Sequence, residues 1–480
     1  MHVLSCFRLR KAFYSATSLC SLATVLASVI LACSPSAHAL PAFARKYGLR
    51  CSACHESWPM LNYFGQKFKD NGYQLMNDRD APIWQNPGYW PVTFRIIPLW
   101  HRVSTGKVAI DTYGPNGEGG STITGSQIQR VTSSGFDLSG LDFHTGGTLE
   151  KNFSFYVLPS SDATASFHFE TVMARLDNLL GSPWLNIKLG KFELDNLLSE
   201  KRILTLTGNG GIYQLYHFVP VGDGNIFGQM GSNQLGAELM GHSWNDRTRY
   251  SAALLSSNNG SVGLPYGNGY TGFFAASQAF DTGKAGVQRV GFYAMIGQAP
   301  TTWLTSGGNL LGNAAIGNKS FSREGFVGQF YFGQHIDLQV VTQHGQDSVW
   351  FGQGYGDIPD GNATLNNTTG TTLPPGSRAP TWNGVLFEPH YIYSPQLIFI
   401  GRYETIRMSQ QSTPGTPSNL GNISTYTIGY RYNPFMTPRA GFAWHNEYNW
   451  KHQDGTGPMI GLTSSNINVS ELLIGFDFDF

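Results

Sequence analysis

From residue 92 to the end of the chain, apolar and polar side chains alternate with a period of two, the spacing of strands and not of helices. At the C-terminus Ile474, Phe476, Phe478 and Phe480 alternate with Gly475, Asp477 and Asp479. Tyr426, Ile428, Tyr430 and Tyr432 alternate with Thr427, Gly429 and Arg431; Phe442, Trp444 and Tyr448 with Ala443, His445 and Glu447; Phe326, Phe330 and Phe332 with Gln329 and Gly333. An apolar face opposite a face of small, polar and charged residues suits a strand with lipid on one side and water on the other.

Candidate strands lie near 92–103, 136–149, 151–159, 166–176, 184–193, 212–220, 233–242, 248–257 and 269–280. Others follow near 286–297, 323–333, 336–345, 384–393, 396–406, 423–432, 438–449 and 468–480, which makes 17. A single-chain bacterial barrel takes an even number, so one is surplus and about 16 are expected, with about 14 or 18 as neighbouring alternatives. The predicted fold is an all-β, antiparallel transmembrane β-barrel over 92–480, carrying a small N-terminal helical plug segment over 40–91. Tight connections at Tyr393-Ser394-Pro395 and Asn433-Pro434 read as periplasmic turns. The Gly-, Asn-, Thr- and Pro-rich stretches 298–322, 346–382, 407–422 and 451–467 read as extracellular loops. A large soluble β-sandwich or β-helix would also alternate, but aromatics near strand ends and a terminal Phe480 argue against it.

Residues 40–91 have a different texture. Pro59 to Gly72 reads as a short helix, with Pro59 suited to its first position and Gly72 to the residue past its end. Leu61, Phe64 and Phe68 would share one face. Pro82, Pro87 and Pro91 then break up the chain.

Ahead of this segment, residues 1–39 are expected to be a Sec-type signal peptide. Arg8, Arg10 and Lys11 form a basic start, Ser18–Cys33 an apolar stretch, and Ala37-His38-Ala39 a small-x-small cleavage site. Ile30-Leu31-Ala32-Cys33 offers a rival, lipoprotein-like cut, for which Leu31 is a poor fit.

Composition supports a membrane barrel over a soluble enzyme. Charged residues are only 13% of the chain, against about 25% in ordinary globular proteins. Aromatics are also 13%, with 58 glycines. No apolar run after the leader approaches the roughly 20 residues of a spanning helix, so crossing would have to be by strands. The formal net charge of zero offers no surface for nucleic acid.

Without the leader, only Cys51 and Cys54 remain of the five cysteines. They belong to Cys51-Ser52-Ala53-Cys54-His55, the attachment pattern of c-type haem. Two thiols add across the two vinyl groups, two intervening residues let both reach one porphyrin edge, and the following His55 becomes the proximal iron ligand. A thioredoxin-type disulfide would need a βαβ context that residues 40–50 lack. A zinc site would need further ligands, usually a second cysteine pair. The pattern thus points to one covalent haem c, with His55 as its metal ligand. A segment of this size is too small to bury a porphyrin alone, so it is expected in, or at the mouth of, the barrel lumen. For the sixth iron position, Met60 lies close to His55 in sequence; Met76, His101, His144, His168 and His445 remain candidates. Asp357-Ile358-Pro359-Asp360-Gly361-Asn362 places two carboxylates in the longest loop but is first a turn signal.

The stretch Leu40-Pro41-Ala42-Phe43-Ala44-Arg45-Lys46-Tyr47-Gly48-Leu49-Arg50 leads into that motif, with Pro59, Leu61-Asn62, Phe64-Gly65, Phe68-Lys69 and Gly72-Tyr73 after it. It resembles the fused monohaem cytochrome–porins of bacterial outer membranes, which include the outer-membrane iron oxidases of Fe(II)-oxidising bacteria. By this resemblance Cys51 and Cys54 hold the haem and His55 is its proximal ligand. The resemblance also implies one-electron transfer across the outer membrane, between an extracellular donor or acceptor and a periplasmic carrier. The iron-oxidase branch carries an additional residue and a second His between the haem His and the Pro, where this chain has only Glu56-Ser57-Trp58. That departure leaves a partner other than iron open. Two further readings stand beside this one. The first is a diffusion channel whose haem is structural or a redox sensor. The second is a peroxidase-like enzyme, which would need an open sixth position and a distal acid–base residue that nothing in the sequence marks.

Overall fold

The structure is a computed structural model that describes residues 42–57, 60–75, 91–113, 123–161, 166–204, 215–218, 228–257, 260, 269–299, 303–304, 310–311, 319–348, 379, 381–408, 422–436, 440–456 and 465–479. Residues 1–39, Pro59, Met76, Pro82, Pro87, Phe480 and Asp357–Asn362 lie outside these.

The N-terminal segment holds helix α1 (Ala42–Tyr47), a single 3-10 turn at Cys51–Ala53, strands β1 (His55–Ser57) and β2 (Met60–Leu61), and helix α2 (Tyr63–Asp70). β1 and β2 pair antiparallel. The predicted helix therefore starts later than Pro59. The Asn62 side chain accepts from the Gly65 amide (2.9 Å) and caps α2, which leaves Met60 and Leu61 to the ladder. Gly72 ends the helix with φ +74°, as its position suggested.

The barrel begins with β3 (Val92–Tyr113), β4 (Ile123–Glu150), β5 (Phe153–Ser161), β6 (Phe167–Leu176) and β7 (Asn186–Phe192). It continues through β8 (Gln234–His242), β9 (Thr248–Ser256), β10 (Tyr270–Asp281) and β11 (Val287–Ala299). A two-residue ladder, β12 (Trp303–Leu304) with β13 (Leu310–Leu311), sits in the next connection. β14 (Lys319–Phe332), β15 (Ile336–Gln346), β16 (Thr381–Ser394) and β17 (Leu397–Met408) follow. Last come β18 (Ile423–Met436), β19 (Gly441–Thr456) and β20 (Ser465–Asp479), which pairs with β3 to close the ring. Omitting β12 and β13, 16 antiparallel strands form a closed barrel in which every strand pairs with its neighbours in sequence.

The surplus candidate was 212–220. Among its described residues Leu215, Tyr216 and Phe218 are all buried, and 215–217 is helical. Consecutive buried positions cannot sit on one face of a strand. The connection from β7 to β8 instead folds into the lumen. A second correction concerns Asn433-Pro434, which lies inside β18 as a register shift between Tyr432 and Phe435, with the chain turning only after Met436. Proline has no N–H to give the ladder, so pairing breaks there without the strand ending.

Alternation matches the wall geometry. On β18 Tyr426, Ile428 and Tyr432 stand exposed outside while Thr425, Thr427 and Arg431 are buried inside; on β20 Asp477 and Asp479 face inward. Leu254, Phe274, Phe292, Ile296 and Phe326 extend the apolar exterior around the barrel. So continuous an apolar outer surface belongs in lipid. Closed single-chain barrels of this kind are outer-membrane proteins, and their lipid contact is this outer face. Among the described residues no helix is long and apolar enough to cross a membrane.

Short connections such as Lys151–Asn152, Gly333–His335 and Pro395–Gln396 gather at one end, the periplasmic end by the usual rule. The N-terminal segment is anchored in the lumen at that end. Tyr331 donates to Glu56 (2.8 Å), Asn433 to Ser57 (3.0 Å) and Arg175 to the Lys69 and Asp70 carbonyls (2.8 and 3.1 Å). Asp70 pairs with Arg249 (3.0 Å) and Lys69 with Asp195 (2.5 Å). These partners lie on β6, β9, β14, β18 and the infolded connection, so the segment spans the lumen.

Candidate functional site

The Cys-Ser-Ala-Cys-His stretch is held against α2 from two directions. Asn62 Nδ2 donates to the Ala53 carbonyl (3.0 Å) and the Asn62 amide donates to the Cys54 carbonyl (2.9 Å). Gly65 lies directly beneath: a Cβ there would come 2.0 Å from the Cys54 carbonyl oxygen. Only glycine allows this approach. Gly65→Ala is expected to push residues 51–57 off the helix at an overpacking cost of about 1–3 kcal/mol. Hydrogen exchange at the 51–57 amides reads it, with faster exchange expected there and no change in the barrel strands. Unchanged exchange at Cys54 and His55 would contradict the contact.

Cys51, Cys54 and His55 line one cavity of about 520 Å³ between the N-terminal segment and the β3–β6 wall, within the ~300–1,000 Å³ usual for cofactor sites. Phe43, Leu61, Phe68, Tyr73, Ile97 and Leu158 supply apolar surface. Phe43 stacks on Tyr73 (5.0 Å between ring centres) and Tyr73 on Tyr156 (5.9 Å). Cations also reach the cavity: Arg95, Lys188, Lys201 and Arg202, each paired to a carboxylate, among them Lys201 to Glu170 and Arg202 to Glu193.

The two thiols are not joined to each other. Burial, with Asp479 as a lesser contributor, pushes the Cys51 thiol up to about 12; burial pushes Cys54 up to about 11. Neither is a thiolate near neutral pH. Burial and the nearby Asp337 raise the Glu56 carboxyl to about 7. Among the described residues no group of three or more His, Cys, Asp or Glu side chains could hold a metal ion by itself. Two thiols and an imidazole on one cavity that also offers Phe43, Leu61, Phe68 and Ile97 are the groups that would hold a covalently attached porphyrin.

Of the sixth-ligand candidates, only His144 among the described ones lines this cavity. Met60 packs elsewhere, with Leu204, Ile398 and Ile400, and accepts from Gln339 (3.0 Å). His101 meets Glu471 (2.6 Å), His445 meets Glu447 (2.9 Å), and His168 is exposed. Met173, Tyr156, Thr93 and the Glu200–Ile203 stretch also line the cavity and were not singled out from the sequence. They come from separate strands and from the infolded connection. Strand alternation alone would have placed Met173 and Tyr156 on a wall, but not on this one.

Above the cavity, the infolded connection carries an apolar cluster toward the long-loop end. Phe218 packs edge-on to Trp382 (5.4 Å), Tyr216 to Tyr293 (6.0 Å), and Leu215, Met230, Phe321, Leu386 and Ile406 are buried with them. Arg323 lies over the Trp382 ring (4.3 Å).

No family model and no curated protein matches the chain. Among solved structures it is similar to the outer-membrane channel DcaP of Acinetobacter baumannii, with 9% identity, a TM-score of 0.43, and 80% of this chain and 96% of that one covered. It is also similar to the anion-selective porin from Comamonas acidovorans (10% identity, TM-score 0.44, 81% and 99% covered). A third is the outer-membrane OmpT of Vibrio cholerae (8% identity, TM-score 0.44, 82% and 98% covered).

Proposed function

We propose that this protein is an outer-membrane c-type cytochrome–porin that carries single electrons between an extracellular donor or acceptor and a periplasmic carrier. The observation that carries the reading is that Cys51, Cys54 and His55 face one cavity inside a membrane-spanning barrel. A haem c bound there supplies a one-electron Fe(III)/Fe(II) couple.

The chain's own residues do the rest. Cys51 and Cys54 would hold the haem, each through a thioether formed by adding its S–H across a vinyl group. Two such links make the attachment permanent, which suits an exported protein. His55 would ligate the metal from β1, whose pairing with β2 and the Asn433–Ser57 bond hold it in place. Phe43, Phe68 and Tyr73 would exclude water, and Lys201 and Arg202 reach the same cavity, each paired to a carboxylate, Glu170 and Glu193. The cavity's position at the short-turn end favours exchange with a periplasmic carrier. Fe(II) as the outer partner is what the resemblance implies.

The test is transfer across a sealed membrane. Full-length protein in liposomes should reduce an enclosed soluble acceptor when an impermeant donor is added outside, and empty liposomes should not. Failure of the protein-bearing liposomes to pass electrons would overturn the proposal.

The diffusion channel has one observation in its favour, the 16-strand barrel itself. The apolar packing of the infolded connection within the lumen opposes it.

A further inference from the structure

We propose that His144 is the second axial ligand of the haem, making the site a bis-imidazole centre; the inference rests on the haem reading above. His55 reaches the cavity from the N-terminal segment and His144 from β4 of the barrel wall. The segment and the wall therefore supply one imidazole each.

The local geometry is that of a ligand held from behind. His144 Nδ1 lies 2.5 Å from the Tyr156 hydroxyl. With Nδ1–H donating to that oxygen, the lone pair belongs to Nε2, the tautomer a ligating histidine needs. Asp142 Oδ2 lies 3.9 Å from Nε2, at ion-pair distance. It is already engaged by Ser160 (2.5 Å) and Arg95 (3.4 Å). Tyr156 is in turn fixed by stacking on Tyr73, which stacks on Phe43. The ring is thus oriented by contacts running back into the N-terminal segment.

Met173 is the rival, because it lines the same cavity from β6. It packs within the apolar cluster of Phe68 and Tyr73 and has no such orienting bond. A methionine ligand would also give the higher potential expected of Met/His ligation. Two imidazoles make a closed site, suited to electron transfer and not to binding small ligands.

The experiment uses purified full-length protein carrying covalent haem, read by absorption and electron paramagnetic resonance. Wild type should be wholly low-spin when oxidised and should not bind carbon monoxide when reduced. His144→Ala should turn high-spin and bind carbon monoxide, and added imidazole should restore the low-spin signal. His144→Met should keep a six-coordinate haem with a raised midpoint potential. Met173→Leu should leave the spectrum unchanged. A low-spin His144→Ala spectrum identical to wild type, or loss of the low-spin signal in Met173→Leu alone, would overturn the assignment while leaving the cytochrome intact. No covalent haem in wild type would overturn both readings together.

Discussion

Cys51→Ala/Cys54→Ala protein is expected to reach the outer membrane as a folded barrel with its covalent haem entirely lost. The ladder of 16 strands closes without either cysteine, and alanine suits the short turn at Cys51–Ala53. Both thiols face the cavity, so their removal would delete the proposed links to the porphyrin and little packing. A haem stain and a reduced-minus-oxidised spectrum on the outer-membrane fraction read the result. Wild type should show a haem-bearing band at the mature mass, and the double variant none. Each single variant should retain one thioether link and a weaker band. No covalent haem in wild type would remove the electron-transfer reading and leave a porin of unknown solute.

The second large effect concerns the lumen. A barrel of about 16 strands ordinarily encloses an aqueous channel. Here the connection between β7 and β8 brings Leu215, Tyr216, Phe218 and Met230 against Phe321, Trp382, Leu386 and Ile406. The N-terminal segment spans the periplasmic end, tied by Arg175, Arg249, Tyr331 and Asn433. Among the described residues, both layers lie within the lumen. In planar bilayers the wild-type protein is expected to conduct less than an open barrel of the same strand number. Trp382→Ala should raise the conductance, because emptying a large buried aromatic site costs about 3–5 kcal/mol and loosens the infolded connection. Wild-type conductance equal to that of an open barrel would contradict this packing and favour the diffusion channel.

Much of the wall was legible in the chain. A strand's two faces meet different solvents, so a period of two survives in sequence wherever one face meets lipid. β18 and β20 show it residue by residue. The rule failed where the solvent argument does not apply. Residues 215–218 face the lumen interior on all sides and carry no alternation, so their aromatic richness imitated a strand. β3 and β4 run to Tyr113 and back from Ile123, well past the expected 103 and 136. Their outer parts are Ser-, Thr- and Gly-rich, and 129–138 is exposed throughout, so backbone pairing continues there without an apolar face.

The sequence by itself determined the barrel class, the even strand count once the surplus was recognised, and the spacing of Cys51, Cys54 and His55. Each is a local property, set by side-chain period or by separations of a few residues. Only the tertiary structure decided what surrounds that motif: which end of the barrel holds it, that Gly65 lets it lie on α2, and that His144, Tyr156 and Met173 share its cavity. Those neighbours come from strands about 90 to 120 positions away, brought together by hydrogen-bond register around a closed ring. Register is a property of the whole ring, and no segment of the chain carries it alone.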